Sequence, residues 1–160
     1  SDPVDSLAGV TFRHLSMLAQ IKTSDDDVWN SLRNSGHLSG EPNLALQNRL
    51  HRMRYWIGSI HFPEDARINI QKQIDDNTRE HLNQKQLIFL RNLASVLGDS
   101  EWSDEAIGNT IREMTSASEI SGREAYIALY WAMLGRSHGP KASALIFEIG
   151  KTAAVQLFSS

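Results

Sequence analysis

The 160-residue chain contains no cysteine, which excludes disulfides and thiolate metal sites and fits a cytoplasmic location. No apolar run approaches the roughly 20 residues that a membrane-spanning helix needs. The opening SDPVDSLAG has no basic stretch followed by an apolar core, so it is not expected to serve as a secretory signal. Six histidines are present (His14, His37, His51, His61, His81, His138), but no two stand four apart with a glutamate between them, as a helical zinc site requires. A Walker loop, a glycine-rich dinucleotide fingerprint and a G-x-S-x-G turn are all missing. The carboxylates of residues 25–27 and of Asp75 and Asp76 stand at helix starts or in a polar connection, where solvated acids are the ordinary case. A basic excess is lacking too. The formal net charge is −3, whereas a general nucleic-acid binder carries many more cations than anions, so any such contact must be confined to one positive face.

What is present is helical pattern. Apolar residues recur at helical spacing in residues 11–22 through Phe12, Leu15 and Leu18, with Ala19 and Ile21 alongside. Ser24 and three aspartates form an acid-rich helix start that Gly36 ends. Residues 43–58 place Leu46, Leu50, Met53 and Ile57 on one face, and residues 83–98 do the same with Leu87, Leu90, Leu93 and Leu97. Ser103 caps a helix reaching about Ser118, and a short helix over residues 151–158 closes the pattern. Pro63 opens a segment, helical or partly extended, that runs toward Asp76. Strand signals, internal repeats and low-complexity tracts are not found. The expected fold is all-α, with eight to nine helices in two subdomains, 1–78 and 79–160. Their boundary is placed in the polar stretch 75–83, which lacks a core face.

The richest stretch is SGREAYIALYWAMLGRSHGPKASALIFEIG, residues 121–150. Ser121 and Glu124 form a capping box, Gly135 supplies a left-handed stop, Pro140 suits a first helical turn, and Gly150 closes the second helix. Between the two helices, Arg136, Ser137, His138 and Gly139 make a polar turn beside an uncapped helix start. Free backbone donors and partial positive charge there suit a phosphate or the edge of a base, and Lys141 adds a full charge. The plainer reading is a helix–loop–helix corner whose glycine and proline serve the turn. In the first of these helices Tyr126, Ile127, Leu129, Trp131, Met133 and Leu134 point in almost every direction, which predicts burial at the centre of a bundle.

A second constellation is RLHRMRYW, residues 49–56. Arg49, Arg52 and Trp56 fall within roughly 60° on a helical wheel, beside the apolar stripe. Guanidiniums flanking an indole can hold phosphates and stack an unpaired base. The same arginines also answer the helix dipole, and Trp56 can simply complete the core.

The stretch 121–150 is similar to the C-terminal region of class I lysyl-tRNA synthetases. The likeness lies in Tyr130 to Gly135, in Arg136 to Lys141 and in Gly150 with Lys151. It extends to Trp102, Glu105, Ile107, Asn109, Ile111 and Glu113, to VTFRHLSMLAQI near the start, and to Trp56 with FPEDARINIQ, so it covers nearly the whole chain. The resemblance implies an anticodon-binding domain whose partner is tRNA through its anticodon stem-loop, with neither DNA nor a membrane involved. It implies that ATP and the catalytic site belong to another part of a longer enzyme, leaving this region without a cofactor. In the related glutamyl enzymes, the positions matching Tyr130, Gly139, Pro140 and Ala142 lie near anticodon bases, although Tyr130 stands where that relative is cationic. Tyr130, Arg136, His138, Gly139, Pro140, Lys141 and Ala142, with Arg49, Arg52 and Trp56, are therefore the expected contacts, Tyr130 stacking a uridine. A glutamyl-type domain and a helical protein-interaction module are the alternatives.

Overall fold

Nine α-helices and a 3-10 turn make up the described residues, 9–160, of the computed structural model, and no strand occurs among them. The helices are α1 Phe12–Ile21, α2 Asp25–Asn34, α3 Leu44–Ile57, α4 Asp76–His81, α5 Gln84–Leu97, α6 Asp104–Ala117, α7 Gly122–Leu134, α8 Ala142–Ile149 and α9 Lys151–Ser159, with the 3-10 turn at Glu64–Ala66. Local chemistry sets most of the boundaries. Thr11, Ser24, Asn43, Asp75, Asn83, Ser103 and Ser121 each turn a side-chain oxygen onto the amide three residues on, which satisfies one of the orphan donors of a first turn. The expected capping box forms: the Ser121 hydroxyl accepts from Glu124 N–H, and the Glu124 carboxylate accepts from Ser121 N–H. Only α8 and α9 start without a side-chain cap.

The chain divides into two compact units, 1–69 and 70–160. In the first, α1 packs on α2 and α3. Leu15, Leu18, Val28, Leu32, Leu46 and Leu50 are fully enclosed there, and Met53 is buried beside them. Phe12, expected on the apolar face of α1, is instead exposed, because it lies in the first turn, ahead of the packed part of the helix. Past the 3-10 turn the backbone has no regular structure as far as α4, and Gln20 secures its beginning through Ala66 C=O and Ile68 N–H.

In the second unit α5 packs against α6, α7 and α9, while α8 lies on α6 and α9. The polar stretch 75–83 falls inside this unit and contains α4. That short helix is held by tertiary contacts: the buried Thr78 donates to Trp131 C=O at 3.3 Å, and the His81 ring stacks on Trp131 with centroids 3.9 Å apart. Of the large residues expected at the centre of α7, Leu129 and Met133 are there, together with three alanines. Ala125, Ala128, Leu129, Ala132 and Met133 are fully enclosed, whereas Tyr126 is exposed and Ile127, Trp131 and Leu134 are half-buried. Small side chains on that stripe let neighbouring helices approach closely, which pushes the bulky residues to the flanks. Helices α8 and α9 meet across one residue, Gly150, at φ 96° and ψ 152°, a region essentially open to glycine alone.

Candidate nucleic-acid interface

The polar turn follows Gly135, which is left-handed at φ 68° and whose N–H returns to Trp131 C=O at 3.0 Å. Ser137, His138, Gly139 and Lys141 are exposed, while Arg136 and Pro140 are half-buried. Arg136 Nε donates to His138 C=O at 3.1 Å, which folds the arginine along the turn. Pro140 precedes the N-cap of α8 rather than occupying its first turn; Lys141 is the N-cap and supplies no side-chain cap. Ala142 is buried and offers a ligand no side-chain contact.

Lys141 projects into solvent with its side chain 74% exposed, and its Nζ lies 3.3 Å from Asp104 Oδ1. The same oxygen accepts the hydroxyl of the buried Ser143. Beside this pair is a shallow cavity of about 330 Å³ lined by Asp104, Glu105, Gly108, Arg112, Lys141 and Ser143. Its charge is mixed, two cations against two carboxylates, so the positive field is local to the turn and not a broad basic groove. Such an arrangement suits short-range donation to a phosphate or a base edge more than long-range steering.

Tyr130 is half-buried and does not offer a free hydroxyl. Its O–H donates to Pro140 C=O at 2.6 Å. Burial pushes the phenol above its ordinary value of 10.0, and the neighbouring Tyr126 adds to the effect. Gly139 lies against the ring: a Cβ there would sit 3.4 Å from Tyr130 Cδ1 and 2.5 Å from Leu134 Cδ1.

In the first unit, α3 divides its expected trio. Arg49 is only 6% exposed and donates from Nη1 to Val10 C=O at 3.1 Å, so it is a buried structural residue and not the surface phosphate contact its wheel position suggests. Arg52 is exposed. Trp56 is partly exposed and meets Phe62 edge-on with centroids 5.9 Å apart, so it half-completes the core and leaves a ring surface open. Beside them, Tyr55 is 82% exposed and Ile60 93%. The sequence reading overlooked Tyr55, although its place in the run of arginines and aromatics was the available signal. Among the described residues, no group of histidine and acidic side chains could hold a metal ion, and no helix is long and apolar enough to cross a membrane.

Known proteins bear on both surfaces. The chain is 28% identical over 157 residues to a lysine–tRNA ligase of Picrophilus torridus, an alignment spanning 94% of this chain and 29% of that protein. Lysine–tRNA ligases of Methanopyrus kandleri and Thermoplasma acidophilum are 26% and 22% identical, over 88% and 89% of this chain and 27% of each relative. The chain thus spans under a third of the length of these relatives. A family model described as an anticodon binding domain matches residues 43–156, which takes in both α3 and the turn before α8. By that match, which covers most of its length, the chain belongs to the anticodon-binding domain family.

Proposed function

We propose that this chain is the anticodon-binding part of a class I lysine–tRNA ligase, acting in the cytoplasm on the anticodon stem-loop of a lysine tRNA. Activation of lysine with ATP and its transfer to the tRNA 3′ end then fall to the remainder of a longer enzyme. The chain's own work is positioning and discrimination. Phosphate contacts set the register of the loop, and donors and aromatic faces sort the unpaired bases. Uridine stacks weakly on its neighbours, so the protein supplies much of the order. Both units take part in this reading, the first through Arg52, Tyr55 and Trp56, the second through Lys141, His138 and the exposed backbone of the turn.

The observation that carries the proposal is the family match across residues 43–156, joined to a turn that leaves Lys141 and the backbone around Gly139 open to solvent. Fluorescence titration of labelled stem-loops at low and moderate salt tests it. Binding that weakens with salt, and again when the anticodon uridines are replaced, is the expected result. Equal indifference to all RNAs would replace it with a protein-interaction role, and a preference for a glutamate anticodon would reassign the amino acid.

A further inference from the structure

The turn between α7 and α8 is gripped at both ends by side chains whose bonds reach beyond their own helical turn. At the α7 end, Gln71 comes from the irregular segment before α4. Its Nε2 donates to Trp131 C=O at 2.7 Å and Ala132 C=O at 2.9 Å, and its backbone N–H donates to Met133 C=O at 2.8 Å. Ala132 and Met133 C=O are last-turn carbonyls left over by the helix ladder, while Trp131 C=O also takes the Gly135 N–H. Gln71 Oε1 also lies 3.2 Å from where a Cβ on Gly135 would stand, so the amide fills the space beside the helix stop. At the α8 end, the Tyr130 hydroxyl donates to Pro140 C=O at 2.6 Å, one residue ahead of the N-cap Lys141. Helix α8 has no side-chain cap of its own, so this bond holds the chain just where the helix starts. Between the grips, the bare Cα of Gly139 lies against the Tyr130 ring and Leu134.

We propose that Gln71 and Tyr130 are positioning residues that hold the turn in one conformation for RNA, with Tyr130 acting through the backbone carbonyl of Pro140 and not as a stacking face. The inference rests on the reading that this turn meets an anticodon loop. A loose turn would have to be ordered at the moment of binding, and that ordering is subtracted from affinity. A turn already fixed presents Lys141 and the exposed backbone around Gly139 at set positions, which also sharpens discrimination between bases.

Tyr130→Phe keeps the ring and removes the grip; Gln71→Ala removes the other. Each variant is compared with the unaltered chain by stem-loop titration at 25 °C, by amide hydrogen exchange and by thermal melting. Loss of one positioning hydrogen bond is expected to weaken stem-loop binding by roughly tenfold. Exchange at Leu145, whose N–H bonds to Lys141 C=O at 3.0 Å, should speed up in Tyr130→Phe, while exchange in α1 and α2 stays unchanged. A residue that only stabilises the fold would lower the melting temperature and leave affinity at 25 °C as it was, and that result overturns the proposal. Unaltered exchange at Leu145 also overturns it, with the RNA reading left standing. If the unaltered chain ignores every stem-loop, the RNA reading itself falls, and the positioning role falls with it whatever the exchange shows.

Discussion

The end of α3 and the turn before α8 invert one another. On α3 a cation expected at the surface, Arg49, is buried against Val10 C=O, while the aromatic Tyr55 stands almost wholly in solvent. At the turn, the aromatic Tyr130 is committed to Pro140, while the cation Lys141 is free to move apart from one exposed carboxylate. Exposed positive charge remains in both places on residues expected there, Arg52 and Lys141, while the open ring that was not expected is Tyr55. The lesson is about reach. A long arginine on a helix flank can turn inward to an unpaired carbonyl, whereas a rigid tyrosine at the last turn cannot avoid whatever the chain folds over it.

The largest effect that would sharpen this contrast is Arg49→Ala. It leaves Val10 C=O without its donor inside the first unit, and chemical denaturation should show a loss of about 1–3 kcal/mol. Arg52→Ala, one helical turn on and exposed, should stay within about 0.5 kcal/mol. Equal losses for the two would erase the distinction drawn between them. Next comes Tyr55→Ala, which removes an open stacking face worth about 1–3 kcal/mol per base, read as weaker stem-loop binding with the melting curve unmoved. Lys141→Glu should follow, with stem-loop binding weakened about tenfold and the salt slope reduced by about one, while stability changes by no more than about 0.5 kcal/mol. An unchanged affinity would remove the turn from the interface.

The smallest effects are those of pH. Burial favours the neutral phenol of Tyr130, so its contribution to stability is intact below its ordinary value of 10.0 and is lost as pH rises through its higher folded value. Tyr130→Phe should flatten that alkaline limb of the melting profile. At the acid end, the amide of Thr78 holds Asp75 below 3.8 and the amide of Ser121 holds Glu124 below 4.5. Their contributions are present above those values and disappear as pH falls through the lower folded ones. Asp75→Asn and Glu124→Gln should therefore each reduce the acid dependence of melting.

Nearly every helix was legible because its start is a local event. Thr11, Ser24, Asn43, Ser103 and Ser121 need only the next three residues to cap, and the apolar stripes through Leu46 and Leu90 follow from helical period alone. Helix α4 was not legible as a helix. It has no apolar face, and what holds it is Trp131, 53 residues from Thr78 along the chain. The exposure of Tyr126 and Phe12 was hidden for a related reason: period assigns a direction, but which direction is covered depends on where neighbouring helices end. The turn's place was readable from its glycines, proline and cations. Its grips were not, because Gln71 reaches carbonyls 60 and 61 residues away and no nearby pattern marks that glutamine as different from any other.

Gly150 gives the joint between α8 and α9 no slack. With α9 lodged on α5, α8 is tethered by its tail, and the bearing of its leading end is inherited from a helix that never approaches RNA in this scheme. One or two residues inserted beside Gly150 would let α8 swivel and carry Lys141 off target with every residue of the turn intact. The aim of the surface is therefore written partly at the rear, in a single hinge-free vertex.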